Sequence, residues 1–385
     1  MSKFDKAFSR IDELNGEFIK IWEDVCNIES PTEHKAGVDA VGRYFLDYAK
    51  RRGWQCEVFA QEVSGDIVCI TLNPTAKKRP LTLSAHLDTV HPIGFFGYPP
   101  VHCDTERIYG PGVTDCKGGA VSALLAMTAL DDTGFIDRPV RLILQTDEEK
   151  SSVPSGKSTI NYIIEKSKDS VAFLNAEGGK EDGGVIFRRG IAVFEFEVTG
   201  ISTHASNCVN GKSAVLEAAH KIIEIEKLRD IDALTANCGL ISGGTAKNTV
   251  PEICRFTAEV RFETEAQYAD AVAKMTEIAA TSYIGGTTCK LTVPKTHRVP
   301  MERREFNLRL LERVNEVLSE AGMPTLTAKK GLGGSDAADV TAAGIPCIDS
   351  LGPDGGEIHT IREYAEIATL AKSAKRFAAV AIAID

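Results

Sequence analysis

No two of the 10 cysteines in this chain form a CxxC pair; they are scattered singly. That spacing argues against a zinc–thiolate site and against a disulfide framework. Cys69, Cys254 and Cys347 lie in apolar runs and read as small buried hydrophobes, which fits a reducing cytoplasm. No stretch approaches the ~18 uncharged apolar residues of a membrane span. The opening segment MSKFDKAFSRIDELNGEF has neither an uncharged apolar core nor a small-residue cleavage site, so no secretory leader is expected. Positive charge is in deficit, with 44 Lys and Arg against 54 Asp and Glu and a net charge of -10. Nucleic acid demands a basic face, so it is not an expected partner, and nothing supports membrane binding. Internal repeats and low-complexity tracts are also missing.

What is present is a 385-residue chain with 43% apolar and 25% charged residues, the balance of a globular protein too long for one ordinary core. Phe18, Ile19, Trp22 and Val25 fall at helical spacing, as do Val38, Val41 and Phe45, with Pro31 separating the two segments. Short apolar runs at 67–72, 81–84, 140–144 and 171–174 read as buried strands, and 117–130 as a helix. Strands alternating with helices predict an α/β fold with a mainly parallel sheet flanked by helices. Near residue 187 the pattern changes. IAVFEFEV (191–198) and 255–262 alternate apolar with polar residues, 214–228 and 266–279 read as helices, and 289–293 as a last strand. This β-α-β-β-α-β order predicts an inserted α+β, ferredoxin-like domain. Helix–strand alternation resumes with 306–321, 347–350 and a terminal helix from Tyr364. The expected division is 1–186 plus 298–385 for the first domain and 187–297 for the second.

Residues that bind metals recur just past the buried strands. His86 and Asp88 follow the run 81–84, where such sheets place ligand sites. His86 can give one ring nitrogen to a metal while Asp88 accepts the other ring N–H. The pair alone reads equally well as a buried hydrogen-bonded couple. Asp115 sits among glycines in YGPGVTDCKGGA, where it could bridge two cations; alone, it reads better as a helix N-cap. Glu148 and Glu149 follow the run 140–144 in QTDEEK, where three consecutive acids repel unless cations or solvent neutralise them. Glu177 follows 171–174 in FLNAEGG, and His359 follows 347–350 in GGEIHT. Carboxylates with two imidazoles and no thiolate suit two divalent ions, zinc first and cobalt or manganese next. Two such ions and a bridging carboxylate make a hydrolytic pair. Its bridging water is acidified, and a neighbouring carboxylate moves the proton to the leaving amine.

In order along nearly the whole chain, SAHLDTVH, GPGVTDCKGG, TDEEKSS, NAEGG and EIHTIREY resemble the motifs of the M20 family of zinc metallopeptidases. These include glutamate carboxypeptidase, acetylornithine deacetylase and di- and tripeptidases. The resemblance implies His86 and Glu177 on one metal, His359 and Glu149 on the other, and Asp115 bridging both. It makes Glu148 the general base and Asp88 the partner of His86, and it implies a cis peptide after Asp115, where Cys116 stands in place of the usual Asp or Asn. It implies that the inserted domain is a lid and dimerisation domain, that the protein is a homodimer, and that His204 of GISTHASN steadies the oxyanion from the partner subunit. Asn248 and Arg261 match pocket positions, Arg261 facing a substrate carboxylate. GLGGSDAAD (331–339) resembles the family's glycine-rich segment, placing Gly333, Gly334 and Ser335 by the substrate. It also resembles a kinase phosphate loop, with Lys329 and Lys330 nearby, but Asp336 would repel phosphate. The expected activity is di-metal hydrolysis of an amide bond in a small peptide or N-acyl amino acid. An aminopeptidase- or tripeptidase-type enzyme, or a non-catalytic metal-binding homologue, stands as the alternative.

Overall fold

The computed structural model describes residues 2–179, 182–230, 234–331 and 333–385; Leu332, within the glycine-rich segment, lies outside them. The chain divides into two compact units: Met1–Phe187 with Arg303–Gly331 and Ser335–Asp385, and Arg188–Glu302 with Leu332–Gly334.

The first unit opens with α1 (Asp5–Cys26) and α2 (Lys35–Arg51), whose periodic apolar residues are the buried ones. Next come β1 (Gln55–Phe59), β2 (Ile67–Leu72), β3 (Leu81–His86), β4 (His102–Cys103), β5 (Arg107–Tyr109), α3 (Lys117–Asp132), β6 (Val140–Gln145), α4 (Ser158–Ser167), β7 (Ala172–Asn175) and β8 (Gly183–Arg188). The large sheet has the order β1-β2-β6-β3-β7-β14, where β14 is Cys347–Ile348. β3 runs parallel to β6 and β7, and β7 is parallel to β14. β1 and β2 add an antiparallel edge, so the sheet is parallel-rich and not wholly parallel. Every residue of β2 and β3 is buried, the polar Thr71, Thr82, Ser84 and His86 included, as expected of strands covered on both faces. α3 is buried on all sides from Lys117 to Leu130 and packs against α1 and the terminal helix α9 (Thr369–Ala383), which explains its Ala- and Leu-rich composition.

The second unit holds β9 (Gly190–Thr199), α5 (Ala214–Glu226), β10 (Thr235–Gly243), β11 (Ile253–Phe262), α6 (Glu265–Ala280) and β12 (Thr288–Thr292). Its sheet order is β10-β11-β9-β12, with every neighbouring pair antiparallel, the ferredoxin-like arrangement. β9 buries alternate residues over a core of its own that includes Phe194, Phe196, Phe256 and Met275. Ser213 caps α5, and Thr264 with Gln267 forms a capping box on α6.

The chain then returns to the first unit through α7 (Glu305–Glu320), β13 (Thr327–Gly331) and α8 (Asp336–Ala342). β15 (Gly355–Gly356) and β16 (Tyr364–Glu366) join β5 and β4 in a small sheet of order β15-β16-β5-β4. The expected helix from Tyr364 is therefore corrected. Residues 364–366 are strand, held by antiparallel pairing with β5, and α9 begins only at Thr369. Among the described residues, no helix is long and apolar enough to cross a membrane.

Candidate metal centre

Register explains why distant residues meet. In the large sheet His86, the last residue of β3, lies opposite Gln145 at the end of β6, and Ser84 lies opposite Asn175 at the end of β7. Because these strands are parallel, their carboxyl ends share one sheet edge. Glu148 and Glu149 follow Gln145 by three and four residues, and Glu177 follows Asn175 by two. The small sheet supplies the rest. Tyr109 of β5 pairs with Tyr364 of β16, and beyond them the Gly110 N–H donates to the Glu363 carbonyl at 3.2 Å. The antiparallel segments leading to Asp115 and away from His359 therefore run side by side. His359 comes from the loop between β15 and β16, after the glycine-rich turn that follows β14.

All five metal-type residues come together. His86 Nε2 lies 3.0 Å from Asp115 Oδ1 and 3.7 Å from Glu177 Oε1. His359 Nε2 lies 3.2 Å from Asp115 Oδ2 and 3.4 Å from Glu149 Oε2. Asp115 thus turns one oxygen to each imidazole. The backbone is unusual here: His359 and Glu357 take positive φ of 63° and 56°, as do Ser151 and Ser152 just past Glu149. The Asp115–Cys116 peptide is cis.

Asp88 meets His86 through both main chain and side chain. The Nδ1 of His86 is 2.9 Å from the Asp88 main-chain carbonyl and 3.5 Å from its carboxylate. The carboxylate also accepts the backbone N–H of Glu148 and of Glu149, each at 3.2 Å, and the Thr32 hydroxyl at 2.8 Å. It fixes the turn that presents both glutamates.

The charges are poorly matched without cations. Burial pushes the Glu149 carboxyl up to about 8, against the pull of His359, and pushes Glu177 up to about 7, against the pull of His86. Burial likewise opposes ionisation of Asp115, but hydrogen bonds from His359 and His86 outweigh it and hold that carboxyl well below the usual range. Asp115 and Glu149 raise His359 to about 10. For His86, burial opposes the charged form, yet Cys116, Glu177, Asp115 and Asp88 raise it well above the ordinary value. A site of this kind is stabilised by positive charge, and the donor set fits it. Ligand atoms of His86, Asp115 and Glu149 lie within 4.8 Å of one another, as do those of His86, Cys116 and Glu177. These residues could hold divalent metal ions.

His204, Asn248, Arg261, Gly333 and Gly334 belong to the second unit. His204 is exposed and its Nδ1 lies 2.8 Å from the Ser206 hydroxyl; the Asn248 carbonyl accepts the Ala205 N–H, so these two loops adjoin. Arg261 Nε lies 2.8 Å from Glu259 Oε1. The Gly333 carbonyl accepts from Arg188. A Cβ on Gly334 would collide with the Arg298 side chain. Ser335, in the first unit, is buried and caps α8, its hydroxyl accepting the Ala337 N–H and the Asn175 amide.

Three neighbours of the centre received no role from sequence. Cys116 Sγ accepts the His86 N–H at 3.1 Å, and Thr32 is described above. The third is Glu363, which is buried and accepts the N–H groups of Thr114 and Asp115. Its place four residues after His359 was the available signal.

Residues 82–383 match the family model described as Peptidase family M20/M25/M40. The chain is 27% identical over 360 residues to Carboxypeptidase G2 of Pseudomonas sp. (strain RS-16), covering 91% of this chain and 85% of that protein. In structure it resembles aminopeptidase PepT of Bacillus cereus, with a TM-score of 0.78, 22% identity and coverage of 96% and 98% of the two chains. It also resembles a tripeptidase of Staphylococcus aureus, with a TM-score of 0.80, 19% identity and coverage of 95% and 97%.

Proposed function

This chain belongs to peptidase family M20/M25/M40 and is a peptide-cleaving hydrolase, and from that premise we propose a two-metal carboxypeptidase- or deacylase-type amidohydrolase. The observation that carries this reading is the Asp115 carboxylate, whose two oxygens face His86 and His359 at 3.0 and 3.2 Å. His86 and Glu177 would hold one ion, His359 and Glu149 the other, and Asp115 both, with zinc favoured and cobalt or manganese as substitutes. Bound divalent ions supply Lewis acidity, which polarises the scissile carbonyl and eases proton loss from water.

The chain's own residues do the rest. Glu148 takes the proton of the attacking water as its oxygen bonds to the carbonyl carbon, then hands that proton to the amine nitrogen as the C–N bond breaks. Asp88 holds the Glu148 amide, so the base keeps one orientation. His204 steadies the developing oxyanion from the partner subunit of a homodimer, and Asn248 lines the pocket. Arg261 receives a free α-carboxylate, with Gly333 and Gly334 beside it. Glutamate at position 177 and the likeness to Carboxypeptidase G2 support this substrate class. Cysteines scattered along the sequence with no CxxC pair support a reducing cytoplasm.

The test uses the whole protein and a panel of dipeptides, N-acetyl, N-succinyl and folyl-glutamate amides. Chelation should abolish hydrolysis and zinc should restore it; Glu148→Gln should keep its metal and lose at least about 100-fold in kcat. Full activity in the exhaustively metal-free protein, or in Glu148→Gln, rejects the mechanism. Cleavage that needs a free N-terminus and ignores a blocked C-terminus transfers the protein to the aminopeptidase or tripeptidase class.

A further inference from the structure

Beneath the metal centre lies a buried carboxylate that binds backbone. Glu363 Oε1 accepts the N–H of Thr114 at 3.0 Å and of Asp115 at 3.1 Å. Its other oxygen, Oε2, is 3.0 Å from Nε2 of His91. A carboxylate only accepts, so His91 donates from Nε2. Both side chains are nearly inaccessible, at 1% and 5% exposure. The His91 ring is itself clamped, stacked on Phe95 with centroids 5.6 Å apart and meeting Phe96 edge-on at 4.9 Å. Glu363 is tied at its main chain as well, through the Gly110 N–H, and the Thr114 hydroxyl donates to the Tyr364 carbonyl at 2.5 Å. The buried ammonium of Lys117 feels the negative charge of Glu363 while donating to the Ile28 carbonyl.

The consequence concerns Asp115. Its two oxygens point to different imidazoles, so a rotation of the Thr114–Asp115 segment that improves one approach spoils the other. Consecutive N–H groups aimed at one fixed carboxylate remove that rotation. Without the carboxylate, two donors lose their partner, a loss the segment can relieve only by moving. We infer that Glu363, braced by His91, is a positioning residue that locks the segment carrying Asp115 and thereby sets cation affinity at both positions. This rests on the two-metal reading above.

The experiment measures cobalt binding by competition with a coloured chelator, together with the visible spectrum of the cobalt-loaded protein and the melting of the metal-free protein. The unaltered protein comes first. If it binds no cobalt, the two-metal reading fails and this inference falls with it. Given two bound ions, Glu363→Gln keeps an acceptor for both N–H groups and should bind within about threefold of the parent. Glu363→Ala should bind at least tenfold more weakly at both positions with an altered spectrum, in the roughly 10–100-fold range usual for partners behind a ligand. His91→Phe keeps the aromatic packing and should lose a smaller factor; placed on top of Glu363→Ala it should add nothing, because its route is gone. Parental affinity and spectrum in Glu363→Ala would overturn the inference, as would losses from the two changes that simply multiply. If Glu363→Ala does not fold, His91→Phe decides alone, and parental binding by it is the overturning result.

Discussion

Asp88 shows how a residue recognised from its neighbours can work through a different atom than its type suggests. Two residues after a histidine, an aspartate reads as an acceptor for the imidazole, and an imidazole N–H does reach it, at the main-chain carbonyl. The carboxylate is turned to the amides of Glu148 and Glu149. Sequence carries residue type and spacing and does not record which oxygen accepts which hydrogen. Replacing Asp88 by alanine leaves two N–H groups of a buried turn without their acceptor. On this geometry Asp88→Ala should lower kcat roughly 10–100-fold while the protein still takes up metal, because the imidazole keeps its carbonyl partner. Steady-state kinetics and metal analysis on the same sample check this. A kcat near the parent's would mean the turn holds Glu148 unaided. The same limit applies at Ser335: a serine after two glycines is compatible with an open loop or a helix cap, and only the position of Ala337 decides for the cap.

At the scale of elements, the periodic segments were readable and the pairing-dependent ones were not. The helices at 5–26 and 117–132 and the strands at 67–72, 81–86 and 140–145 announce themselves by apolar spacing. β15 and β16 have no such signal, because two or three residues become strand only when β5 lies beside β16 and β16 beside β15. Yet this small sheet is what brings His359 to Asp115. Glycine enables the close approaches. A Cβ on Gly119, in the first turn of α3, would strike the Ala176 carbonyl, one residue before Glu177, and a Cβ on Gly355 would strike Thr114, one residue before Asp115. Gly119→Ala should destabilise the protein by about 1–3 kcal/mol and weaken metal uptake, since backbone must shift to make room; thermal unfolding with and without zinc measures both. In the second unit a buried pair joins α5 to the end of α6. Lys221 donates to the carbonyls of Ile278, Ala279 and Thr281, while Glu217 accepts from the amides of Tyr283 and Ile284. Burial pushes the Glu217 carboxyl up, but Lys221 and these amides outweigh it and hold it below the usual range. A depressed carboxyl stabilises the fold above its unfolded value and loses that contribution as pH falls through the folded one. The advantage of the parent over Glu217→Gln should be constant near neutrality and shrink below about pH 4.3, the unfolded value for glutamate. Urea midpoints of both proteins at pH 7, 5 and 3.5 test the trend, and a gap that widens with acid contradicts it.

For the whole molecule, the second unit bears on whether one chain or two make the working unit. β10 is an end strand of its sheet, and Leu240 and Ile241 on it are 71% and 56% exposed. α5, which packs on β10, exposes Leu216 and Ile223, seven residues apart and so on one helix face. Single exposed apolar residues are ordinary, but an uncovered end strand beside an apolar helix stripe is an edge that proteins usually cover or charge. Here neither Leu240 nor Ile241 is replaced by a lysine or proline that would blunt pairing. A second copy meeting edge to edge would extend the sheet and bury both apolar rows, giving the homodimer proposed above. Sedimentation equilibrium at micromolar protein should therefore return twice the 41.6 kDa chain mass. Leu240→Arg should shift the population to single chains without lowering the melting temperature of the first unit's core, because the charge falls only on the edge. A single 41.6 kDa species for the unaltered protein at that concentration removes the dimer, and with it any action of His204 across subunits.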